Sequence, residues 1–406
     1  MNAKVLLTHN YYGSAAPSGE NQVFQAEREL LLQRGHVVDE FVRHSDEIRS
    51  KGAYGIVTGA LAVPWNPWSV AAMRRKLDAV SPDVVHVHNT FPLISPGIFH
   101  AIGTRAARVL TLHNYRLYCP AAIPMRDGKV CTDCMDRRSS LPAMHHGCYR
   151  DSRVATLPLA FSVWLCRLRH TWTRQVDAFI ALTEFQRERM VEAGLPAELV
   201  HVKPNFYPGN PATLWWAERR QSVVFAGRLT AEKGLLALIN AWLMWGPAAP
   251  ELRIVGDGAL RSDLERLAAT APAVPIRFLG QLSGPEAQAE IAQARLLVLP
   301  SECFEGFPMV VREAFAFGTP VAVSAIGPLP SIVQNGKNGV LFSPGNSASL
   351  LAAVRDIWER PHDLERLGLA ARASFERRYT EDANYGILME IYQQAIEVNR
   401  TKRTVK

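Results

Sequence analysis

The chain has 406 residues, too many for one ordinary core, and reads as two domains of roughly 150–200 residues each. Its composition, 48% hydrophobic and 20% charged, is that of a globular protein. No uncharged apolar run reaches the roughly 18 residues that span a bilayer, and MNAKVLLTHN is too short an apolar start for a signal peptide, so a cytoplasmic location is expected. The net charge of +7 is concentrated: residues 105–174 carry 12 basic and 4 acidic side chains. Such a patch suits phosphate, anionic lipid or a plain solvated surface. No helix-turn-helix, RNA-binding aromatic signature or zinc-finger spacing with paired histidines supports nucleic acid.

Short apolar strands alternate with amphipathic helices along the chain. Strands are predicted at Lys4–His9, Val37–Val42, Asp83–His88, Val109–His113, Asp177–Leu182 and Val200–Val202, with a helix near Asn21–Arg34. Thr183–Gln186 reads as a capping box opening a helix that stops at Gly194. Residues 206–219, "FYPGNPATLWWAER", lack periodicity and read as a linker. The pattern restarts with strands at Val223–Gly227, Leu252–Val255, Ile276–Leu279, Leu296–Leu299, Val321–Ser324 and Val340–Phe342. Apolar runs of this kind imply two parallel sheets covered by helices, an α/β fold whose ligands bind at the carboxyl ends of strands. The expected layout is an N-terminal domain over 1–205, the linker, and a C-terminal domain over 220–379. A final helix over 380–400 packs back on the first domain, and a disordered basic tail follows from Lys402.

Chemistry-bearing residues fall at strand ends. In "GRLTAEKGL", Arg228 and Lys233 sit beside a helix start, which suits a diphosphate or two ordinary surface charges. "IVGDG" lacks the third glycine of the dinucleotide fingerprint and reads as a tight turn. In "SECFEGFPMVVREAFAFG", Glu305 lies in a loop and can accept from sugar hydroxyls. Gly306 frees amides at the helix start. Glu313, set among Val, Ala and Phe, is suited to a ribose diol. His113 ends a strand and reads as a site histidine or a satisfied structural one. His86 and His88, alternating with valines in "DVVHVHN", default to packing.

These stretches resemble the retaining family-4 glycosyltransferases of the GT-B fold. "THNYYGSAAPSGENQ", "FAGRLTAEKG", "FLGQLS" and the Glu-x7-Glu segment through "NGVLFSPGN" fall in that family's order, and the resemblance covers nearly the whole chain. It implies two Rossmann-like domains facing a central cleft, with Glu305 and His113 at the donor sugar and Glu313 on the nucleotide ribose. It also implies Arg228 and Lys233 on the diphosphate, and a phosphate cradle of Gly306, Phe307 and the amides of Met309 and Val310. Leu282 falls where the family's backbone meets the base, and Gly19 and Glu20 match its glycine loop. Here Ser-Gly-Glu stands where two glycines often stand. The implied reaction moves a sugar from UDP- or GDP-sugar, with retention, to a glycan or polyprenyl-diphosphate-linked acceptor. Rival readings are an epimerase on the same fold and a non-catalytic nucleotide-sugar-binding protein. No Asp-x-Asp triplet is present, so no catalytic metal cofactor is expected.

Cys119, Cys131, Cys134 and Cys148 lie in an insertion over 114–150. Their central CTDC has structural-zinc spacing, with His145 and His146 as substitute ligands; a redox pair or four inert thiols fits equally. Cys166 and Cys303 read as core. "LPLAFSVWLCRLRHTWTR" (157–174) and "PWNPWSVAAMRRK" (64–76) mix aromatics with cations, which suits an anionic membrane surface or a core-packed helix face.

Overall fold

A computed structural model describes residues 2–13 and 18–404, which form two compact units. The first comprises residues up to Pro124, Thr132–Asn205 and the chain from Asn384. The second comprises Met125–Cys131 and Phe206–Ala383. The insertion is thus divided: the hairpin β5 (Met125–Arg126) and β6 (Lys129–Val130) groups with the second unit, and the rest with the first.

The first unit is built on β1 (Lys4–Tyr11), β2 (Val37–His44), β3 (Val84–Asn89), β4 (Ala107–Leu112), β7 (Ala178–Ala181) and β8 (Val200–Val202), all parallel in the order β2-β1-β3-β4-β7-β8. Every residue of β3 and β4 is buried, which explains their unbroken apolar runs. The strand order reverses between β1 and β3, so the crevice beyond their carboxyl ends is the unit's natural ligand position.

The second unit repeats the plan with β9 (Arg220–Ala226), β10 (Glu251–Val255), β11 (Ile276–Gly280), β12 (Ala294–Leu299), β13 (Val321–Ser324) and β14 (Gly339–Phe342). They are parallel in the order β11-β10-β9-β12-β13-β14. Here the reversal lies between β9 and β12. The loops that leave those two strands are the "GRLTAEKG" and "SECFEG" segments.

The first helix, Gly19–Gln33, buries Val23, Phe24, Glu27, Leu30 and Leu31 along one stripe, with a carboxylate in its middle. The helix opened by Thr183 spans Glu184–Glu192. The Thr183 hydroxyl accepts from the Gln186 amide at 3.1 Å, and the Gln186 side chain accepts from Leu182 N one residue before the cap. The C-terminal helix runs Glu381–Thr404 and lays Leu388, Ile391, Tyr392 and Ala395 into the first unit's core. The expected disorder from Lys402 is corrected as far as Thr404. Lys402 Nζ donates to Asp177 Oδ1 at 2.8 Å and to Val176 O at 3.0 Å, and Asp177 is a buried carboxylate that also holds Arg108. Val405 and Lys406 lie outside the described residues.

Candidate active site

In the second unit, β9 leads through Gly227 into a short turn, Ala231–Lys233, and then the helix Leu235–Trp245. The junction is Gly234, at φ +68°. A Cβ there would stand 1.9 Å from the carbonyl oxygen of Pro300, so only glycine lets this loop lie against the end of β12. That approach brings Lys233 Nζ to 2.7 Å from Glu305 Oε1, and Ser301 Oγ donates to the same oxygen at 2.5 Å.

Both members of the pair are mostly buried, and each holds the other's charge. Burial alone would raise the Glu305 carboxyl, but Lys233 and the hydrogen bonds hold it below the ordinary value. Burial alone would lower the Lys233 ammonium, and Glu305 holds it above. Arg228 is 61% exposed on its side chain and reaches Glu232 at 3.0 Å, leaving its guanidinium within reach of solvent-borne ligands.

Beyond Glu305 come Gly306, Phe307 and Pro308, and then the helix Met309–Ala316 with Met309 and Val310 in its first turn. Glu313, one turn further in, is mostly buried. Burial pushes its carboxyl above the ordinary range against the opposing charge of Arg312, whose guanidinium is 3.5 Å away and stacks over Tyr207. Leu282 follows β11, just ahead of the capping box of Ser283 and Glu286 that opens the next helix.

In the first unit, Gly19 and Glu20 open the first helix. The Glu20 carboxylate accepts from Asn114 Nδ2 at 2.8 Å. Burial raises this carboxyl, with Asn114 and Arg116 acting against the rise. His113, next to Asn114 at the end of β4, places Nε2 3.1 Å from His88 Nδ1. Burial, then the neighbouring His88 and His9, hold His113 well below the ordinary histidine range. His88, His113, Asn114 and Arg116, together with Leu159, Val163 and Trp172, are among the residues lining a cavity of about 80 Å³.

Of the residues predicted from sequence, Lys233 meets Glu305, and Glu20 reaches the neighbour of His113; Arg228 instead pairs with Glu232. In the sequence, Asn114, Arg116 and Glu27 have no evident role and His88 reads as packing. The signal for Glu27 was available, since it occupies a core position of an apolar helical stripe. Cys119, Cys134 and Cys148 gather in the first unit. The Cys119 thiol is pushed up to about 12, by burial first and then by Cys134 and Cys148. Among the described residues, the one group of three acid, histidine or cysteine side chains whose ligand atoms all lie within 4.8 Å is Glu27, His86 and His88.

Sequence models of two domains match this chain: "Glycosyltransferase Family 4" over residues 19–208 and "Glycosyl transferases group 1" over residues 220–360. The chain belongs to the family-4 glycosyltransferases. Among curated relatives, the sulfoquinovosyl transferase SQD2 of Arabidopsis thaliana is 35% identical over 186 residues, covering 45% of this chain and 35% of that protein. The glycogen synthase of Mycobacterium tuberculosis is 32% identical over 223 residues, covering 52% of each. The chain thus spans a third to a half of the length of these relatives. Among solved structures, Anabaena Alr3699/HepE in complex with UDP superposes with a TM-score of 0.65 at 19% identity, covering 96% of this chain and 100% of that one. Sucrose-phosphate synthase from Thermosynechococcus elongatus gives 0.64 at 17% identity, with full coverage of both. Together with the two six-stranded parallel sheets, these likenesses give this family-4 chain the GT-B fold.

Proposed function

We propose that this chain transfers a hexose from a UDP- or GDP-sugar, with retention of configuration, to a glycan or lipid-linked saccharide in cell-surface polysaccharide assembly. The observation that carries the reading is the Lys233–Glu305 pair beside Arg228, at the point where the second sheet reverses its strand order.

Leaving-group departure needs positive charge where the diphosphate gains negative charge. Lys233, Arg228 and the amides of the helix beginning at Met309 supply it. A carboxylate already ionised, Glu305, accepts from sugar hydroxyls and orients the ring. Glu313, raised by burial, offers oxygens to the ribose diol. His113, at the carboxyl end of β4, is assigned to a hydroxyl of the donor sugar. The departing phosphate takes the acceptor's proton, so no carboxylate nucleophile is required. The relative solved with UDP supports a uridine nucleotide as the first donor class to try.

The acceptor's lipid points to a membrane surface. The helices Gly52–Ala62 and Arg153–Leu168 pack together and expose Tyr54, Ile56, Val57 and Leu61 on one and Val154, Leu157, Phe161, Trp164 and Leu168 on the other. Lys51, Arg153 and Arg169 rim them, a combination suited to the inner face of an anionic bilayer. Among the described residues, no helix is long and apolar enough to cross a membrane.

The test is a transfer assay with UDP- and GDP-hexoses and polyprenyl-diphosphate-linked saccharides, with the anomeric configuration of the product read by NMR. The reading requires donor-dependent product of the donor's own anomeric configuration, lost in Glu305→Ala. An inverted product, or undiminished turnover in Glu305→Ala, contradicts it.

A further inference from the structure

The first unit contains a buried polar chain that the donor site does not use. Glu27, 1% exposed, points from the first helix toward β3. Its Oε1 lies 2.9 Å from His86 Nδ1 and 3.4 Å from His88 Nε2, charge contacts not aligned as full hydrogen bonds, and its Oε2 accepts from Lys203 Nζ at 2.9 Å. Lys203 also donates to Asn384 of the C-terminal helix at 2.9 Å, and Tyr392 of that helix places its hydroxyl 2.8 Å from His86 Nδ1. On its other side His86 Nε2 meets Thr111 Oγ1 at 2.8 Å. His88 continues the chain to His113.

The charge states along this chain dictate where its protons sit. Burial would raise Glu27, but Lys203 and His86 hold it well below the ordinary range, so it is an anion at neutral pH. An imidazole nitrogen facing a buried anion must carry hydrogen, because a lone pair there would be repelled. His88 is neutral, held near 4 by burial and by His86, so with hydrogen on Nε2 its Nδ1 is a bare acceptor. The atom 3.1 Å away, His113 Nε2, must then be the donor. His113 is neutral too, which leaves its Nδ1 without a proton. The same logic fixes imidazoles in hydrolytic triads and behind metal-bound histidines.

We infer that Glu27 is a positioning residue for the transfer reaction: through His88 it fixes His113 as the Nε2–H tautomer, so that Nδ1 accepts a hydrogen bond from a hydroxyl of the bound sugar. The inference rests on the proposed role of His113 at the sugar. By spacing alone Glu27, His86 and His88 also fit a cation. Lys203 already neutralises that carboxylate, however, and Thr111 engages the second nitrogen of His86. The groups facing the chain are His9 from β1, Phe24 and Glu27 from the first helix, His86 from β3, Thr111 from β4, Lys203 beyond β8, and Asn384 and Tyr392 from the C-terminal helix.

The test combines nitrogen-15 NMR of the histidine rings with kinetics of the full chain. In the wild type, His113 should show a protonated Nε2 and an unprotonated Nδ1; the reverse assignment overturns the inference whether or not transfer is ever detected. In Glu27→Gln, whose amide can present donor or acceptor to His88, the His113 signals should become a mixture. The same variant should lower kcat on the order of 10–100-fold with donor KM nearly unchanged. In a His113→Ala background Glu27→Gln should cost nothing further, whereas an additive loss marks a merely structural role and overturns the inference. If Glu27→Gln does not fold, His88→Gln, which cuts the same chain beyond the Lys203 ion pair, is read by the same three criteria. A chain with the expected tautomer but no transfer with any donor would contradict the proposed function alone.

Discussion

Lys233 and Glu305, 72 positions apart, form an ion pair at 2.7 Å in the loops that leave β9 and β12. The two charges expected to grip different parts of the donor hold each other first. Under the proposed donor site, an incoming diphosphate would share the ammonium and release Glu305 oxygens for sugar hydroxyls, coupling donor binding to sugar orientation. Lys233→Met strands a mostly buried carboxylate and should cost about 3 kcal/mol of stability and at least about 100-fold in kcat/KM. The double variant Lys233→Met/Glu305→Gln should recover most of the stability and none of the activity. Denaturant melts and initial rates on the two variants check this.

Acid should destabilise the first unit before it touches most carboxylates. Burial holds His9 near 3 and His88 near 4, and His113 well below the ordinary histidine value of 6.5. Below about pH 6.5 the unfolded chain therefore binds protons that the folded chain refuses, so stability falls with falling pH and is flat above. For His88 alone, the window from 6.5 down to about 4 is worth on the order of 3 kcal/mol. Glu27, depressed in the folded state, adds a loss of the same sign below its ordinary value of 4.5. Calorimetry should show Tm falling steadily from pH 7 to pH 5; a flat profile over that range would count against three neutral buried imidazoles.

The exposed apolar faces of the helices Gly52–Ala62 and Arg153–Leu168 should bind anionic vesicles. Phe161→Ser/Trp164→Ser removes aromatic area without touching the buried residues Leu159 and Val163. Co-sedimentation with phosphatidylglycerol vesicles should drop at least about five-fold, with transfer to a water-soluble acceptor unchanged. Equal sedimentation of variant and wild type would remove the membrane surface from the proposal.

The cysteines make a separate prediction. We propose a zinc clip that would have to draw together Cys119, Cys134 and Cys148 of the first unit, whose sulfurs do not all lie within 4.8 Å of one another, and purified protein should then carry about one equivalent. Chelation should lower Tm. Less than about 0.2 equivalents of zinc, with Tm unmoved by chelator, would return them to inert thiols.

Much of the framework was legible because it is encoded locally. The buried parallel strands announce themselves as apolar runs, and Glu305, Gly306 and Glu313 fall within one short motif. What escaped depends on distance in the chain. Nothing in "TAEKG" indicates that Lys233 will meet Glu305 rather than solvent, since the contact exists only because Gly234 admits the Pro300 carbonyl. Glu27 resembles any charged helix residue until its stripe is counted, and its partners come from β3, the segment after β8 and the C-terminal helix. Lys402 looked like part of a loose tail because Asp177, the buried acid that captures it, lies over two hundred residues away.

The most direct measurement is a thermal-shift titration of the full chain with UDP, GDP and their hexoses, run in parallel on Lys233→Met. A ligand at a hundred times its dissociation constant stabilises the folded state by about 2.7 kcal/mol, so one nucleotide class should raise Tm of the wild type by several degrees and leave the variant nearly unmoved. No shift with any nucleoside diphosphate sugar, or the same shift in both proteins, would contradict a donor site built on Lys233 and Glu305.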